Sequence, residues 1–472
     1  MNQKIKEQQE KREARRKRRV RNQILAYITL IILILAMAAG IVFGVQYLTR
    51  KSEANSQEKQ EQVDQMIGTE ESLEAPETQP STEQIIELTP EQKLDEIVNA
   101  GIEVMPLEDK VAGLFIVTPE SITGVSAAVK AGDGTKQALT KYSVGGILYG
   151  TKNIQNESQF KEMIDTTKLY SNYPLFIAIE DEGGSVSPLA EKRLVEKQKS
   201  AVELGETGDA EAVRTVGKTM GNYLAGYGFN LDLAPVADLN SVQNSVMAKR
   251  SYGSDAAAVS PLVVSMTEGL EGAKVSACLK HFPGMGSTTQ NTDNGLASSD
   301  RSAEDFRANE FVVFKAGIDA GADMVMVSHM AAPSLAGDNT PSSMSSVIVT
   351  DILRKELGFE GVIITDDMMM VGATIYAETM SNAFRMALEA GNDIILSSTT
   401  PRLNDALWTK NLDLMSVNSE FRERVKNAAY RVIKLKLEYF KTNNYAPLYP
   451  DSESVENSIP DKDGEKFFLE QA

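Results

Sequence analysis

Eight short apolar runs, separated mostly by longer amphipathic stretches, constrain this chain more than any other feature. They read GLFIV (113–117), GGILY (145–149), PLFIAI (174–179), FNLDLAPV (229–236), VSACL (275–279), ADMVMVS (322–328), GVIIT (361–365) and DIILSS (393–398). Helical stretches such as DAEAVRTVGKTMGNYLAGYG and FRANEFVVFKAGIDAG lie between them. Strand alternating with helix implies a parallel sheet. Eight repeats over roughly 330 residues fit a (β/α)8 TIM barrel, with a doubly wound open sheet as the alternative. No GxGxxG motif follows the first run to suggest a nucleotide site.

A barrel places its chemistry just after the strands, at one face. Polar residues collect there. The third run ends in Glu180-Asp181-Glu182-Gly183-Gly184, the fifth leads into Lys280-His281, the sixth into Ser328-His329 and the seventh into Asp366-Asp367. The chain has only two histidines, and both stand at these ends. Carboxylates with lysine, histidine and arginine at one mouth suit sugar chemistry, because a retaining glycosidase needs a carboxylate nucleophile and a proton donor flanking the bond. Asp366 is held by a strand end, as a nucleophile requires. The competing reading is a helix N-cap within DDMMMVGAT, a role that Asp367 suits better. Glu180 to Glu182 read as sugar-hydroxyl ligands or as a solvated turn. Metal binding there has no second acidic cluster to support it. Lys280 and His281 read as a functional pair beside the turn FPGMG. Met368 to Met370 read as the start of a core-facing helix.

The flanks differ from this repeat. Residues 1–21 hold ten Lys/Arg and three Glu, which leaves a charge of −25 on the remainder of a chain whose net charge is −18. Ile24 to Val45 carries no charge. Its 22 residues would span about 33 Å as a helix, enough for a bilayer core of roughly 30 Å. The basic block then places the N-terminus in the cytoplasm and the rest of the chain outside. The block could be read as a nucleic-acid patch, but its position beside the span makes it a topology signal, and the acidic remainder of the chain argues against nucleic acid as a partner. Residues 46–88, rich in Glu, Gln, Ser and Thr, read as a flexible acidic stalk. Folding is expected to begin at Thr89, where TPEQKLDEIVNAG reads as a capped helix. The barrel domain is then 89–449, followed by a polar tail at 450–472. The single cysteine, Cys278, permits no intrachain disulfide and reads as a buried core thiol.

Taken in order, MPLEDKVAGLFIV, GGILYG, IAIEDEGGSV, FNLDLAPVADLN, KRSYGSD, CLKHFPGMG and GVIITDDMMMVGA resemble glycoside hydrolase family three, in its β-N-acetylhexosaminidase branch. The resemblance covers roughly residues 104–400. It implies a (β/α)8 barrel that removes terminal β-linked N-acetylglucosamine with retention, without metal or organic cofactor. It implies Asp366 as nucleophile and Lys280, His281 and Arg250 as sugar-holding residues. Glu180 falls where the family usually has an aspartate that binds sugar hydroxyls, and Ser185 replaces a common arginine. The family loop reads KHFPGHG, then four residues, then Asp-Ser-His, whose histidine is the acid/base. Here Met285 stands between the glycines. Without a gap, Asn291 takes the aspartate's place and Asp293 the histidine's. A two-residue gap keeps Asp293 as the dyad aspartate and leaves Gly295 for the histidine. The ungapped form makes Asp293 the expected proton donor. A free aspartate titrates near about 3.9, so donation at neutral pH requires burial or a neighbouring carboxylate to raise it.

Two functions stand at this point. One is a membrane-anchored extracellular hydrolase acting on N-acetylglucosamine-containing cell-wall-type glycans. The other is a catalytically lapsed barrel that binds a glycan or a partner protein.

Overall fold

The computed structural model describes residues 89–398 and 405–439. The expected membrane span, the stalk and the polar tail lie outside the described residues. Among those described, no helix is long and apolar enough to cross a membrane.

The eight runs form eight parallel strands. They are β1 (Phe115–Val117), β2 (Gly146–Leu148), β3 (Phe176–Ile179), β4 (Leu231–Asp232), β5 (Ser276–Phe282), β6 (Met324–Val327), β7 (Val362–Thr365) and β8 (Ile395–Ser397). Their order around the sheet is β7-β6-β5-β4-β3-β2-β1-β8. The two end strands meet. Thr365 N–H donates to Ile394 O at 3.0 Å, and Ile394 N–H donates to Ile363 O at 3.0 Å. The ring is therefore closed, which excludes the open-sheet alternative. Asp393 reinforces the seam from its buried position. Its Oδ2 accepts from Ile363 N–H (2.9 Å) and Arg354 (2.7 Å), and its Oδ1 accepts from Arg431 (2.8 Å).

The strands are buried on both faces, which is why they read as continuous apolar runs. Phe115, Phe176, Ile177, Leu231, Cys278, Val325 and Ile363 are fully shielded from water. Each large apolar side chain so buried contributes about 1.5–3 kcal/mol. The surrounding helices obey ordinary cap rules. Ala210–Tyr227 starts after Asp209, whose side chain accepts from Glu211 and Ala212 N–H, and ends at Gly228 with φ 93°. It packs on Ala256–Gly272 through glycines: a Cβ on Gly269 would lie 2.7 Å from Lys218 N. The expected helix at Thr89 is present as Pro90–Val104, with a Thr89–Gln92 capping box.

Three expectations need correction. The fourth run yields only a two-residue strand. Pro235 has no N–H to donate, although the Ala234 and Pro235 carbonyls still accept from Cys278 and Lys280 of β5. The stretch before β6 forms two helices, Ala303–Ala308 and Glu310–Asp319, broken at Asn309 with φ −130° and ψ −75°. No helix starts at Asp367 or at the methionines. It begins at Val371, after a turn that buries Met368.

Candidate active site

Lys280 is the centre of the mouth. It leaves β5 fully buried, and its Nζ lies 2.8 Å from Glu180 Oε1 and 2.8 Å from Glu182 Oε1. Burial alone would depress a lysine. Here Glu180 and Glu182 more than offset it, and Lys280 is held above its ordinary range as a cation. Glu182 also accepts from Arg250 Nε at 2.8 Å, with a second guanidinium contact to its other oxygen. Burial would raise Glu182, but Lys280 and Arg250 overcome it and bring its carboxyl down to about 2. Glu180 differs: its side chain is 45% exposed, so one carboxylate reaches both the lysine and the open mouth.

The solvated-turn reading of Glu180 to Glu182 therefore fails for two of the three. Glu182 serves Lys280 and Arg250, and Asp181 turns inward. Asp181 accepts from Tyr223 OH (2.8 Å) and Gly183 N–H (3.2 Å), while its own N–H donates to Asp232 Oδ1 (2.9 Å). Burial, against those hydrogen bonds, pushes Asp181 up to about 6. Asp232 is raised as well, first by burial and then by the nearby Asp181.

His281 is oriented by Asp238, which is fully buried. Asp238 Oδ2 lies 2.7 Å from His281 Nδ1 and accepts His281 N–H at 3.1 Å, while Oδ1 accepts Met285 N–H at 2.6 Å. One carboxylate thus fixes both the imidazole and the start of the following turn. Asp232, Asp238 and Tyr223 were not singled out from the sequence. The signal for two of them was there: two aspartates lie in or beside the apolar run FNLDLAPVADLN, where a buried charge demands a partner.

Asp366 ends β7 and is 6% exposed. Its N–H donates to Val327 O at 2.8 Å, and its Oδ1 accepts Asp367 N–H at 2.8 Å. Asp367 is a brace. Its Oδ1 accepts from Met369 N–H (3.1 Å) and Ser398 N–H (3.0 Å), and its Oδ2 meets the Ser398 hydroxyl. His329 completes the brace from β6. Its Nε2 lies 2.9 Å from Asp367 O, an atom that can only accept, and its Nδ1 lies 2.7 Å from Ser343 Oγ.

Met285 is buried. The loop beyond it docks on the first turn of the helix that begins at Val371. Gly372 N–H donates to Thr292 O at 2.9 Å, and a Cβ on Gly372 would lie 2.8 Å from Gly295 O. Asp293 itself is exposed. Its Oδ2 accepts from Asn291 Nδ2 at 3.1 Å, and its N–H donates to Asn291 Oδ1 at 2.9 Å. The structure therefore joins Glu180 to Lys280 and, through Glu182, to Arg250, sets His281 on the same strand as Lys280, and places Asp366 at the end of β7. Asp293 stays outside that network. Among the described residues, no group of three or more His, Cys, Asp or Glu is arranged to hold a metal. A cavity of about 370 Å³ opens beside Glu180, between the ends of β1, β2, β3 and β8.

This mouth has known relatives. The profile of the glycosyl hydrolase family 3 N terminal domain matches residues 106–435. A beta-hexosaminidase of Neisseria meningitidis serogroup C is 32% identical over 291 residues, 60% of this chain and 78% of that protein. The β-N-acetylhexosaminidase of Beutenbergia cavernae has the same fold with a TM-score of 0.63 and 29% identity, over 70% of this chain and 98% of that one. A family 3 β-N-acetylglucosaminidase from Paenibacillus sp. str. FPU-7 aligns with a TM-score of 0.64 and 29% identity. That match covers 71% of this chain and only 62% of the Paenibacillus chain. With a closed parallel barrel whose strand ends carry these acids and bases, and a profile match spanning nearly all of it, the chain belongs to glycoside hydrolase family 3.

Proposed function

We propose that the protein is a retaining glycosidase that releases β-linked N-acetylglucosamine from glycans. The observation that carries this is the placement of Asp366 at the end of β7, across the mouth from the network of Glu180, Glu182, Arg250 and Lys280. Asp366 Oδ attacks the anomeric carbon, and the bond to the leaving oxygen breaks with its electron pair. A proton must reach that oxygen. Water then attacks the same carbon, frees Asp366 and gives up a proton. Glu180, Lys280, Arg250 and His281 hold the sugar hydroxyls. Asp293 is the proposed proton donor, and the hold of its neighbour Thr292 on Gly372, in the helix that follows Asp366, supports that role. The relatives named beta-hexosaminidase support the sugar. The uncharged run at 24–45, with basic residues before it, supports a single-pass anchor that holds the domain outside the cell, facing cell-wall-type glycans.

A second reading is favoured by one observation. The loop has no histidine, and Asp293 is exposed and paired only with Asn291. On this reading the barrel binds glycan without cleaving it. The discriminating experiment uses the domain from about residue 85, assayed with nitrophenyl β-N-acetylglucosaminide and with chitobiose, with Asp366→Asn as control. Nitrophenolate leaves with little acid help. Turnover of both, lost in Asp366→Asn, supports a complete glycosidase. Turnover of the nitrophenyl substrate alone means the nucleophile acts without a donor. No turnover of either, with chitobiose still bound, supports the lapsed barrel.

A further inference from the structure

Of the residues assigned above to the sugar, Glu180 alone lines the cavity beside it; Asp366, Lys280, Arg250 and His281 do not. In the closed order of strands, β7 and β3 lie four places apart in a ring of eight, on opposite sides of the mouth. On the reading above, Asp366 of β7 holds the anomeric carbon. The sugar ring then reaches across toward β3, and its far side, with O3 and O4, faces Glu180. Beyond Glu180 the mouth is not closed. The cavity of about 370 Å³ continues past it toward Gly150, Lys152, Ser185 and Glu191. Its size falls within the range of about 300–1,000 Å³ typical of small-ligand sites. Its walls mix hydroxyls and charges of both signs with the apolar side chains of Leu148 and Pro188. That composition suits the alternating polar edge and apolar face of a neutral sugar. Ser185, the short residue after the Gly183-Gly184 turn, is exposed. Gly150 has extended backbone with φ −137°, and a Cβ built on it meets nothing within 4 Å.

We propose that this cavity is a subsite for a second sugar, bonded to the side of the ring that faces away from Asp366. Glycan ends that fill it are then released as a disaccharide, whereas ends that leave it empty lose a single sugar. This rests on the glycosidase reading, with Asp366 as nucleophile.

The test compares nitrophenyl β-N-acetylglucosaminide with nitrophenyl β-chitobioside, following both nitrophenol and the first sugar released. Intact chitobiose is expected from the second substrate, at a kcat/KM no lower than that of the first. Gly150→Trp fills the cavity from a position whose backbone tolerates a side chain. It should lower the ratio of the two kcat/KM values about ten-fold or more, the scale of steric exclusion in a pocket. Ser185→Arg, from the other wall, should shift the ratio the same way. Free N-acetylglucosamine appearing before nitrophenol, or a ratio unchanged in both variants, overturns the subsite and leaves the glycosidase reading standing. If neither substrate is turned over, the glycosidase reading fails. The subsite is then judged by titration. Chitobiose must bind more tightly than N-acetylglucosamine, and Gly150→Trp must remove the difference. Equal affinities overturn it.

Discussion

Neutralising Glu182 tests the account of the mouth most directly. Its carboxyl lies at about 2 against an ordinary 4.5, because Lys280 and Arg250 outweigh the cost of its burial. A shift of about 2.5 units corresponds to about 3 kcal/mol of preference for the ionised form in the folded state. The folded pKa is depressed, so this contribution is fully present above about 4.5 and is lost as pH falls through 2. Glu182→Gln keeps the shape and removes the charge. It also leaves Arg250 without that carboxylate and Lys280 with Glu180 alone. The expected penalty at pH 7 is about 3 kcal/mol. For a domain of this size that lowers Tm by about 4 °C. The assay is the difference in Tm between wild type and variant from pH 7 down to pH 3. The gap should narrow once the pH drops below about 4.5. Asp181 titrates in both proteins: raised from 3.8 to about 6, it costs stability as pH rises through that window. Its effect therefore largely cancels in the difference. A gap of under about 1 kcal/mol at pH 7, or one that does not change with pH, would refute the reasoning.

Other consequences follow from the same geometry. Asp238→Asn removes the charge that orients His281 and is expected to lower kcat/KM about ten-fold or more, chiefly through KM, in steady-state assays with the nitrophenyl substrate. Gly372→Ala pushes a methyl group against the Gly295 carbonyl and displaces the Asp293 loop. Hydrolysis of chitobiose, which needs a proton donor, should therefore fall further than hydrolysis of the nitrophenyl glycoside; equal losses would separate the loop from proton donation. Lys436 is wholly buried, its Nζ 4.9 Å from the Phe176 ring centre, and burial brings it down to about 7 from 10.5. The folded pKa is lowered, so stability rises with pH between those values. Urea titrations should show wild type gaining about 2 kcal/mol from pH 7 to 9 that Lys436→Met does not gain.

The barrel was legible because each strand run is apolar and closely bounded, so burial and sequence coincide. The strand ends were legible for the same reason: Lys280, His281 and Asp366 each follow an apolar run directly. Roles set by partners were not. Glu182 and Asp181 are neighbours, yet one carboxyl is depressed and the other raised, because past the end of β3 Glu182 meets Lys280 and Arg250 while Asp181 is buried against Tyr223 and beside Asp232. Nothing within IAIEDEGG distinguishes them; the distinction is made by Lys280, Arg250, Tyr223 and Asp232, each 42 or more residues away. Asp367 looked like a helix cap because aspartate favours caps, but Ser398, on a segment 31 residues later, claims its carboxylate. The Asp293 loop was aligned by counting residues, and counting says nothing of exposure.

Cys278, the only cysteine in the chain, lies on β5 with no exposure to solvent, and burial pushes its thiol well above the ordinary range. An alkylating reagent can therefore reach it only when the barrel itself comes apart. The native protein, without any engineering, carries its own opening clock. The rate at which it takes up a thiol probe under non-denaturing conditions reports how often β5 leaves the ring. A glycan that binds at the mouth should slow that clock in proportion to its affinity.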